Sequence, residues 1–297
     1  MKDKTKCPNC HKRNFSILGV VHQTGFEVET NPNFDPNCNL IKCKYCKLIW
    51  KDPFPNQTGL SKDYQINAIF HYIFDYNFFH VIFWKLYSLE MVREYDLIRS
   101  YKNHGLVLDI GAGTGEFLSK FPSKHWNRYI FDPYLSSSHV KTLRKKISPH
   151  VNEFKRLENY PSGIFDVVIL RDVVEHTAEF PNIFRQVHRL LNKNGILYIK
   201  TPNIDSIDFK TFQLSWYLIR IIHHIIFFEK KTLADILKKN GFKIELNKPI
   251  NCFTVMSLFR SVSSGYPIPL RLVASFIYFL ISPLLGEGTD FMIIARK

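Results

Sequence analysis

The chain has 297 residues, of which 45% are hydrophobic and 22% are charged, and its formal net charge is +14. This composition excludes a disordered or collagen-like protein, and the length allows one sizeable core with a smaller appendage. The positive charge is compatible with nucleic acid or an anionic membrane surface, but it is mostly Lys spread along the chain and identifies neither. We find no apolar signal segment at the N-terminus and no apolar run of membrane-spanning length, so we expect a cytoplasmic protein.

Two Cys-x-x-Cys pairs stand near the N-terminus. Their members are Cys7, Cys10, Cys43 and Cys46. In a reducing compartment such pairs indicate metal binding rather than disulfides, and four thiolates suit a closed, structural Zn²⁺ site. Strand-like segments at residues 15–21 and 26–30 separate the pairs, so the sequence predicts a zinc ribbon over residues 1–55. We expect His11 to be solvent-exposed or to support the site, and Cys38 to be a buried spare thiol.

Residues 56–101 are predicted to form a linker followed by a helical cap. The segment at 64–101 contains no Pro or Gly and is rich in aromatic residues, which favours one long helix or two shorter ones. Aromatic side chains in such a segment either fill the core or line a pocket, and we favour the core.

The centre of the chain combines a strand, a glycine loop and a possible helix start. An apolar run at residues 106–110 predicts a buried parallel strand, and Gly111, Gly113 and Gly115 follow it directly. Glycines let the backbone turn tightly and let a ligand approach the main chain. Asp132 lies 21 residues after Gly111, at the end of the next strand-like run, where Rossmann-like folds bind ribose hydroxyls. The alternative is an incidental glycine-rich turn.

From residue 102 to residue 297 strand and helix patterns alternate, which predicts an α/β fold with a mostly parallel, Rossmann-like, seven-stranded sheet. The predicted strands are residues 106–110, 128–132, 151–156, 165–170, 196–200, 242–246 and 290–295. The predicted helices are residues 138–147, 179–191 (ended by Asn194 and Gly195 as a left-handed cap) and 232–240 (ended by Gly241).

The glycine-loop segment, L-V-L-D-I-G-A-G-T-G-E-F-L, resembles motif I of the class I S-adenosylmethionine (SAM)-dependent methyltransferases. The later segments F-D-V-V-I-L-R-D-V-V-E-H-T and L-L-N-K-N-G-I-L-Y-I-K-T-P-N are similar to the subgroup of ubiquinone-biosynthesis O-methyltransferases and bacterial sugar or glycan methyltransferases. An N-terminal zinc ribbon also occurs among bacterial sugar C-methyltransferases. The resemblance covers residues 100–297.

The resemblance implies a set of residues that bind SAM. Asp109 and the loop would hold its amino-acid portion, Asp132 its ribose, and Leu157 and Glu158 would lie near adenine, although the usual acidic pattern is absent there. The implied cofactor-binding residues are Asp109, Gly111, Ala112, Gly113, Gly115, Asp132, Pro133, Leu157 and Asp172.

Two His residues are candidates for a general base. His176 follows Glu175 near the edge of the sheet and would titrate in the useful pH range, unless it only orders the loop. His224 matches a His that the subgroup carries. The alternative interpretation of His223 and His224 is that both lie on the polar side of an amphipathic helix. For Glu175 itself we expect no role beyond that of a residue at the start of a helix.

The expected activity is methyl transfer to a hydroxyl or carbon of a small molecule or glycan precursor, with surface-polysaccharide biosynthesis implied by resemblance. No N-P-P-Y or D-P-P-Y motif follows the fourth strand, which argues against amino-methylation of adenine or glutamine, and Cys252 lacks a nucleophile context. RNA is a less favoured acceptor, and a non-catalytic binding module is a third hypothesis. The apolar segments 212–228 and 268–285 indicate either peripheral membrane contact or a lid with buried helices, which we favour.

Overall fold

The computed structural model describes residues 5–23, 35–54, 78–135, 137–147, 149–151, 156–250 and 288–297, with the single residues 273 and 277. Several predicted features lie outside these residues. They are the strand at 26–30, the linker and the first part of the helical cap (56–77), most of the strand at 151–156, Cys252 and nearly all of the apolar segment 268–285.

Within the described residues, eleven strands form two sheets. In chain order the strands are β1 (Phe15–His22), β2 (Asn37–Cys43), β3 (Ile49–Asp52), β4 (Gly105–Ile110), β5 (Trp126–Phe131), β6 (His150–Val151), β7 (Phe165–Arg171), β8 (Leu191–Pro202), β9 (Ile226–Phe227), β10 (Lys243–Ile250) and β11 (Asp290–Arg296). The helices are α1 (Phe78–Tyr101), α2 (Ser137–Ile147), α3 (Phe180–Leu190), α4 (Ile207–Phe212), α5 (Tyr217–Arg220) and α6 (Lys230–Lys239).

The larger sheet has seven strands in the order β10-β11-β8-β7-β4-β5-β6, and this confirms the predicted α/β fold. The strands from β8 to β6 run parallel, and β11 is antiparallel to both β8 and β10. The central strands β4 and β7 are nearly continuous apolar runs because both faces of the sheet are covered. Their carboxyl ends meet at the sheet edge where open α/β folds bind ligands.

The smaller sheet has the order β1-β2-β3-β9, so its fourth strand comes from a distant part of the sequence. In this antiparallel pairing, Ile49 faces Phe227 and Trp50 faces Ile226. Cys7 and Trp50 belong to the same buried cluster as the central-sheet residues of β4 and β7. The N-terminal segment therefore shares its hydrophobic core with the large sheet.

Of three predicted helix features, two are corrected by the structure and one is confirmed. The glycine loop leads only into a short 3₁₀ turn at Leu118–Lys120, because Phe117, Leu118 and Phe121 turn into the core. The expected cap at Gly195 is wrong, since β8 already begins at Leu191. Instead, Gly195 is required by packing, because a Cβ there would meet the carbonyl oxygen of Phe165 at 2.9 Å. By contrast, Gly241 takes a φ of +89° after α6, as predicted.

The apolar segment at 212–228 is folded into the protein. Trp216, Ile219 and Phe227 are buried against the smaller sheet, which agrees with the expectation of buried helices. His223 and His224 lie in a turn after α5, so the amphipathic-helix alternative is wrong. Within the ranges that the structure describes, none of the helices combines the length and the apolar character that crossing a membrane requires.

Candidate active site at the carboxyl edge of the large sheet

The glycine loop, residues 111–115, lies between the carboxyl ends of β4 and β5. Gly111, Gly113 and Gly115 all take left-handed φ values, of +73°, +54° and +67°. A Cβ on Gly111 would come within 2.8 Å of Val173, and one on Gly115 within 2.4 Å of Leu143. A Cβ on Gly113 would meet none of the described residues beyond its chain neighbours within 4 Å. The outer two glycines are thus needed for packing, whereas the middle one borders open space.

Two carboxylates flank this loop. Asp109 is buried, and its burial raises its pKa to about 8, with Arg171 opposing this shift and Asp132 adding to it. Asp132 is half-buried directly after β5, and its Oδ1 accepts a hydrogen bond from the backbone N–H of Tyr134 at 3.0 Å. The backbone N–H of Gly111 donates to the carbonyl oxygen of Phe131 at 2.8 Å, which brings the loop beside Asp132.

The other implied cofactor residues differ in their surroundings. Ala112 is half-buried in the loop, and Pro133 is exposed beside Asp132. Leu157 is buried in a 3₁₀ turn, Leu157–Asn159, whereas Glu158 is exposed and accepts a hydrogen bond from Asn182 at 3.3 Å. The side chain of Leu157 can therefore offer apolar contact to an adenine only from the edge of the core.

Asp172 follows β7 with a left-handed φ of +57°. Its Oδ2 lies 3.2 Å from Nη1 of Arg171 and 3.6 Å from Nζ of the buried Lys200. Burial opposes ionisation of Asp172, but Lys200 and Arg171 outweigh it and hold the pKa of this carboxyl below its usual range. Asp172 is thus engaged with protein cations, so any cofactor contact competes with them.

Sequence reasoning missed the buried polar network behind Asp172. Arg171 also contacts Glu94 and the hydroxyl of Tyr87, both on α1, and Tyr198 donates to Glu94 at 2.7 Å. The sequence did contain a signal for this network, namely a charged residue near the end of an otherwise apolar strand. Arg171 ends β7, and Lys200 lies near the end of β8. The network brings α1 to the carboxyl edge of the sheet.

Three polar side chains come together after β7: Glu175, His176 and His224, hereafter the imidazole–carboxylate cluster. One nitrogen of each ring and one carboxylate oxygen lie within 4.8 Å of one another. Nε2 of His176 is 4.0 Å from Oε1 of Glu175, and Oε2 of Glu175 accepts a hydrogen bond from the Thr201 hydroxyl at 2.9 Å. The structure therefore unites the two His residues that the sequence proposed separately.

Backbone carbonyls fix the tautomers of both rings. Nδ1 of His176 lies 3.0 Å from the carbonyl oxygen of His223, and Nδ1 of His224 lies 2.9 Å from that of Leu218. Because a carbonyl oxygen only accepts, Nδ1 carries the proton in both rings and Nε2 is the lone-pair nitrogen of the neutral form.

Burial lowers the pKa of His176 to about 4 and the pKa of His224 well below its usual value. The expectation that His176 titrates near neutral pH is therefore wrong. Burial, reinforced by Asp172, raises the pKa of Glu175 well above its usual range. Near pH 7 the two rings are neutral, and a proton-transfer role would have to operate far from its most effective pKa.

The four predicted zinc ligands also converge. Sγ of Cys7 lies 3.4 Å from Sγ of Cys46, Sγ of Cys10 lies 3.5 Å from Sγ of Cys43, and all four sulfur atoms lie within 4.8 Å of one another. Four Zn–S bonds of ~2.3 Å in a tetrahedron require sulfur separations of about 3.8 Å. The cysteine cluster, as we call these four residues, fits that donor geometry.

Two equivalent turns build the cysteine cluster. The N–H of His11 donates to the carbonyl oxygen of Cys7 at 2.9 Å, and the N–H of Lys47 donates to that of Cys43 at 3.1 Å. His11 and Lys47 both take left-handed φ values, of 58° and 63°. His11 is exposed, and Cys38 is buried away from the other four sulfur atoms, as predicted.

Comparison with known proteins settles the family. A family model described as a methyltransferase domain matches residues 83–247, more than half of the chain. The chain belongs to this methyltransferase domain family. The matched residues begin within α1 and end within β10, so they include the glycine loop and the imidazole–carboxylate cluster.

Two curated relatives of this chain are O-methyltransferases. It is 28% identical over 115 residues to a malonyl-[acyl-carrier protein] O-methyltransferase of Legionella pneumophila, a match that covers 37% of this chain and 40% of the relative. It is 28% identical over 113 residues to a ubiquinone biosynthesis O-methyltransferase of Pelagibacter ubique, a match that covers 36% of this chain and 46% of the relative. The chain thus spans less than half the length of either relative.

Solved structures share the fold of this chain. A SAM-dependent methyltransferase from Archaeoglobus fulgidus has a TM-score of 0.50 at 21% identity, with 74% of this chain and 100% of that chain covered. The 1,6-didemethyltoxoflavin-N1-methyltransferase of Burkholderia thailandensis, solved with S-adenosylhomocysteine, has a TM-score of 0.52 at 13% identity, with 87% and 95% covered. At these identities the likeness describes the fold alone.

Proposed function

We propose that this chain is a SAM-dependent methyltransferase that transfers the methyl group to a hydroxyl or carbon of a small molecule or of a glycan or lipid-linked precursor. The observation that carries this proposal is the glycine loop between β4 and β5, with Asp109 and Asp132 on either side of it. Methyl transfer from a sulfonium is an in-line displacement, so the protein mainly positions donor and acceptor.

The residues present fit the cofactor. The loop has open space at Gly113, where a ligand can approach the main chain. Asp109 would pair with the ammonium group of the amino-acid portion, and Asp132 would accept hydrogen bonds from the ribose hydroxyls. When bound, SAM supplies the electrophilic methyl group. Leu157, Pro133 and Asp172 are proposed to complete its surroundings.

A structural zinc ion is proposed for the cysteine cluster. The donor set of four thiolates, with no position left for water, is typical of structural rather than catalytic zinc. Cys7 and Cys43 are buried beside the shared core, so a bound ion would fix the position of the smaller sheet on the large one. A zinc ribbon defined by these residues is part of the same proposal.

Support for an oxygen acceptor comes from the names of the two curated relatives. A role in surface-polysaccharide biosynthesis rests on the sequence resemblance, and a lipid-linked acceptor would account for peripheral membrane contact. The acceptor would reach the site at the carboxyl edge of the large sheet, where Tyr87, Asp172 and the imidazole–carboxylate cluster lie.

RNA is the second candidate acceptor, and one surface feature favours it. A cleft between the cysteine cluster and α6 is lined by four lysines (Lys42, Lys47, Lys231 and Lys239), by two acidic residues (Asp235 and Glu229, the latter paired with Lys42) and by the exposed ring of Tyr45. Basic side chains near an exposed aromatic ring are typical of single-stranded nucleic-acid binding. Binding of short RNA that weakens steeply with salt would favour this acceptor.

Calorimetric titration of the zinc-loaded protein with SAM and S-adenosylhomocysteine tests the proposal, with Asp132→Ala as the comparison. We expect saturable binding in the wild type that is strongly weakened in the variant. A folded wild-type protein that binds neither compound would contradict the enzyme and favour a non-catalytic binding module. Binding that is equal in both proteins would contradict the assigned role of Asp132.

A further inference from the structure

We propose that the imidazole–carboxylate cluster of Glu175, His176 and His224 binds one divalent transition-metal ion, at a site separate from the cysteine cluster. One carboxylate with two imidazoles is a donor set that proteins use for zinc and iron ions with open coordination positions. The three donor atoms already lie within 4.8 Å of one another.

The facing atoms of Glu175 and His176 are the first argument. Nε2 of His176 and Oε1 of Glu175 are 4.0 Å apart, which is too far for a hydrogen bond. Because Nδ1 of His176 donates to a backbone carbonyl, its Nε2 presents a lone pair toward Oε1 of Glu175. A cation between the two atoms would displace the proton of Glu175 and take one coordination bond from each residue.

The spacing of the donors is the second argument. Bonds of ~2.0–2.2 Å to one ion place the donors about 3.0–3.5 Å apart. The observed separations, up to 4.8 Å, close to that range if each donor atom moves by less than ~1 Å. Glu175 and His176 lie in one 3₁₀ turn, Val174–His176, so two of the three donors come from adjacent positions.

The hydrogen bonds behind the donors are the third argument. Metal-binding His residues typically donate their other ring N–H to a carbonyl or carboxylate, and ligating carboxylates are themselves hydrogen-bonded. Here His176 donates to the His223 carbonyl, His224 donates to the Leu218 carbonyl, and Glu175 accepts from Thr201. All three donors are oriented in the manner of a metal site.

The surrounding charges also favour a cation. Asp172 acts on Glu175 with a charge of the same sign, although Arg171 and Lys200 lie beside Asp172 and counter it. The buried Lys51 acts as a cation on the imidazoles of both His176 and His224, and burial lowers the pKa of Lys51 to about 7. Lys51 can therefore lose its proton when a divalent ion arrives.

The place of the site connects it with methyl transfer. Val173 packs so closely on Gly111 that a Cβ added there would lie 2.8 Å from its side chain. Val173 thus stands between the glycine loop and the turn that carries Glu175 and His176. An ion at the cluster would supply a Lewis acid that binds an acceptor hydroxyl and lowers its pKa. This part of the inference rests on the proposed function and narrows the acceptor to a hydroxyl-bearing molecule.

Manganese titration of the chain loaded with only one equivalent of Zn²⁺, which the four thiolates bind in preference, tests the site, with free Mn²⁺ followed by electron paramagnetic resonance. Mn²⁺ prefers oxygen and nitrogen donors, so it leaves the thiolates to zinc. We expect about one Mn²⁺ per chain, and affinity weakened by roughly 100-fold or more in Glu175→Gln and His224→Gln. His223→Gln, which alters a neighbouring ring and keeps the backbone carbonyl, is the matched control and should bind normally.

A second measurement needs no variant. Electron spin-echo spectra of Mn²⁺ bound to the wild type should show coupling to imidazole nitrogen. Absence of stoichiometric Mn²⁺ binding, binding unchanged in both ligand variants, or bound Mn²⁺ without nitrogen coupling would overturn the metal site. Calorimetry with SAM on the same preparations separates the two proposals, because the cofactor can bind without the ion and the ion without the cofactor.

Discussion

The guanidinium of Arg171 makes a two-point contact with the carboxylate of Glu94, with Nε 2.9 Å from Oε2 and Nη2 3.2 Å from Oε1. Both side chains are buried, one at the end of β7 and the other on α1. The pair attaches the helix that precedes the glycine loop to the strand that leads into Asp172. Paired geometry of this kind holds both partners more firmly than a single hydrogen bond.

Glu94→Gln should destabilise the protein by about 3 kcal/mol, because it leaves the buried Arg171 without its main counter-charge. Denaturant unfolding measures this loss. Asp235→Asn is the control, since Asp235 and Lys238 form an exposed pair whose removal should cost less than about 1 kcal/mol. Equal losses in the two variants would contradict the importance of the buried pair.

Cofactor binding at pH 7 should release protons. The pKa of Asp109 is raised to about 8 in the free protein, so this carboxyl is largely protonated, and pairing with the cationic amino group of SAM would ionise it. Calorimetric titrations in two buffers of different ionisation enthalpy give the number of protons released. Asp109→Asn should abolish this release, whereas Asp132→Asn should weaken binding and retain it. The same proton count in wild type and Asp109→Asn would refute this assignment.

Gly113→Ala should separate cofactor binding from stability. Gly113 and Gly163 take φ values of +54° and +72°, and a Cβ at either position would meet nothing within 4 Å. Alanine should therefore cost about 1–2 kcal/mol of stability at both positions. Only Gly113 borders the proposed cofactor, so its variant should lose roughly 10-fold or more in SAM affinity, with Gly163→Ala unaffected. Comparable SAM affinity in the two variants would place the cofactor elsewhere.

Removal of one cysteine of the cluster should release zinc and loosen the smaller sheet. Cys43→Ser is expected to lose the bound ion and to speed amide exchange in β1, β2, β3 and β9, because the metal would contribute folding free energy to this small sheet. Metal analysis and hydrogen exchange measure both effects. Cys38→Ser, at a buried cysteine outside the cluster, should retain zinc. Full zinc content in Cys43→Ser would contradict a four-thiolate site.

Lys51→Met should change how stability depends on pH. Burial lowers the pKa of Lys51 to about 7, while the unfolded chain keeps its ordinary value near 10.5. Between these values the unfolded state binds more protons, so the wild type gains stability as pH rises. The stability of Lys51→Met relative to wild type should therefore fall by about 2 kcal/mol between pH 7 and pH 9. Denaturant unfolding at both pH values, with the exposed Lys44→Met as the control, checks this slope; a difference independent of pH would refute it.

Local patterns in the sequence were sufficient for the large sheet and the glycine loop. The run before Gly111 is apolar on both faces, and the run at β7 is similar, so both predict buried strands without knowledge of their neighbours. Gly241 was also predicted correctly as a helix end. The Gly195 prediction failed because a glycine can serve a close backbone approach as well as a left-handed turn, and only the packing beside Phe165 decides between them.

Contacts between distant residues could not be predicted from local pattern. Glu94 and Arg171 are 77 positions apart, and the contact between His176 and the His223 carbonyl spans 47. The pKa of a side chain depends on burial, which for His176 comes from elements far away in the sequence. The sequence therefore indicated the residue types of the site but not their charge states.

The pairing of β3 with β9 places the smaller sheet beside the imidazole–carboxylate cluster, because His224 lies two residues before β9. Ile225, between His224 and β9, donates its N–H to the carbonyl oxygen of Glu175 at 2.8 Å and accepts from the N–H of Lys51 at 3.0 Å. A displacement of β3 that follows a change at the cysteines therefore reaches Glu175 through two consecutive backbone hydrogen bonds. If a metal ion bound at one of the two clusters changes the metal affinity of the other by some factor, an ion at the second cluster must change the affinity of the first by the same factor.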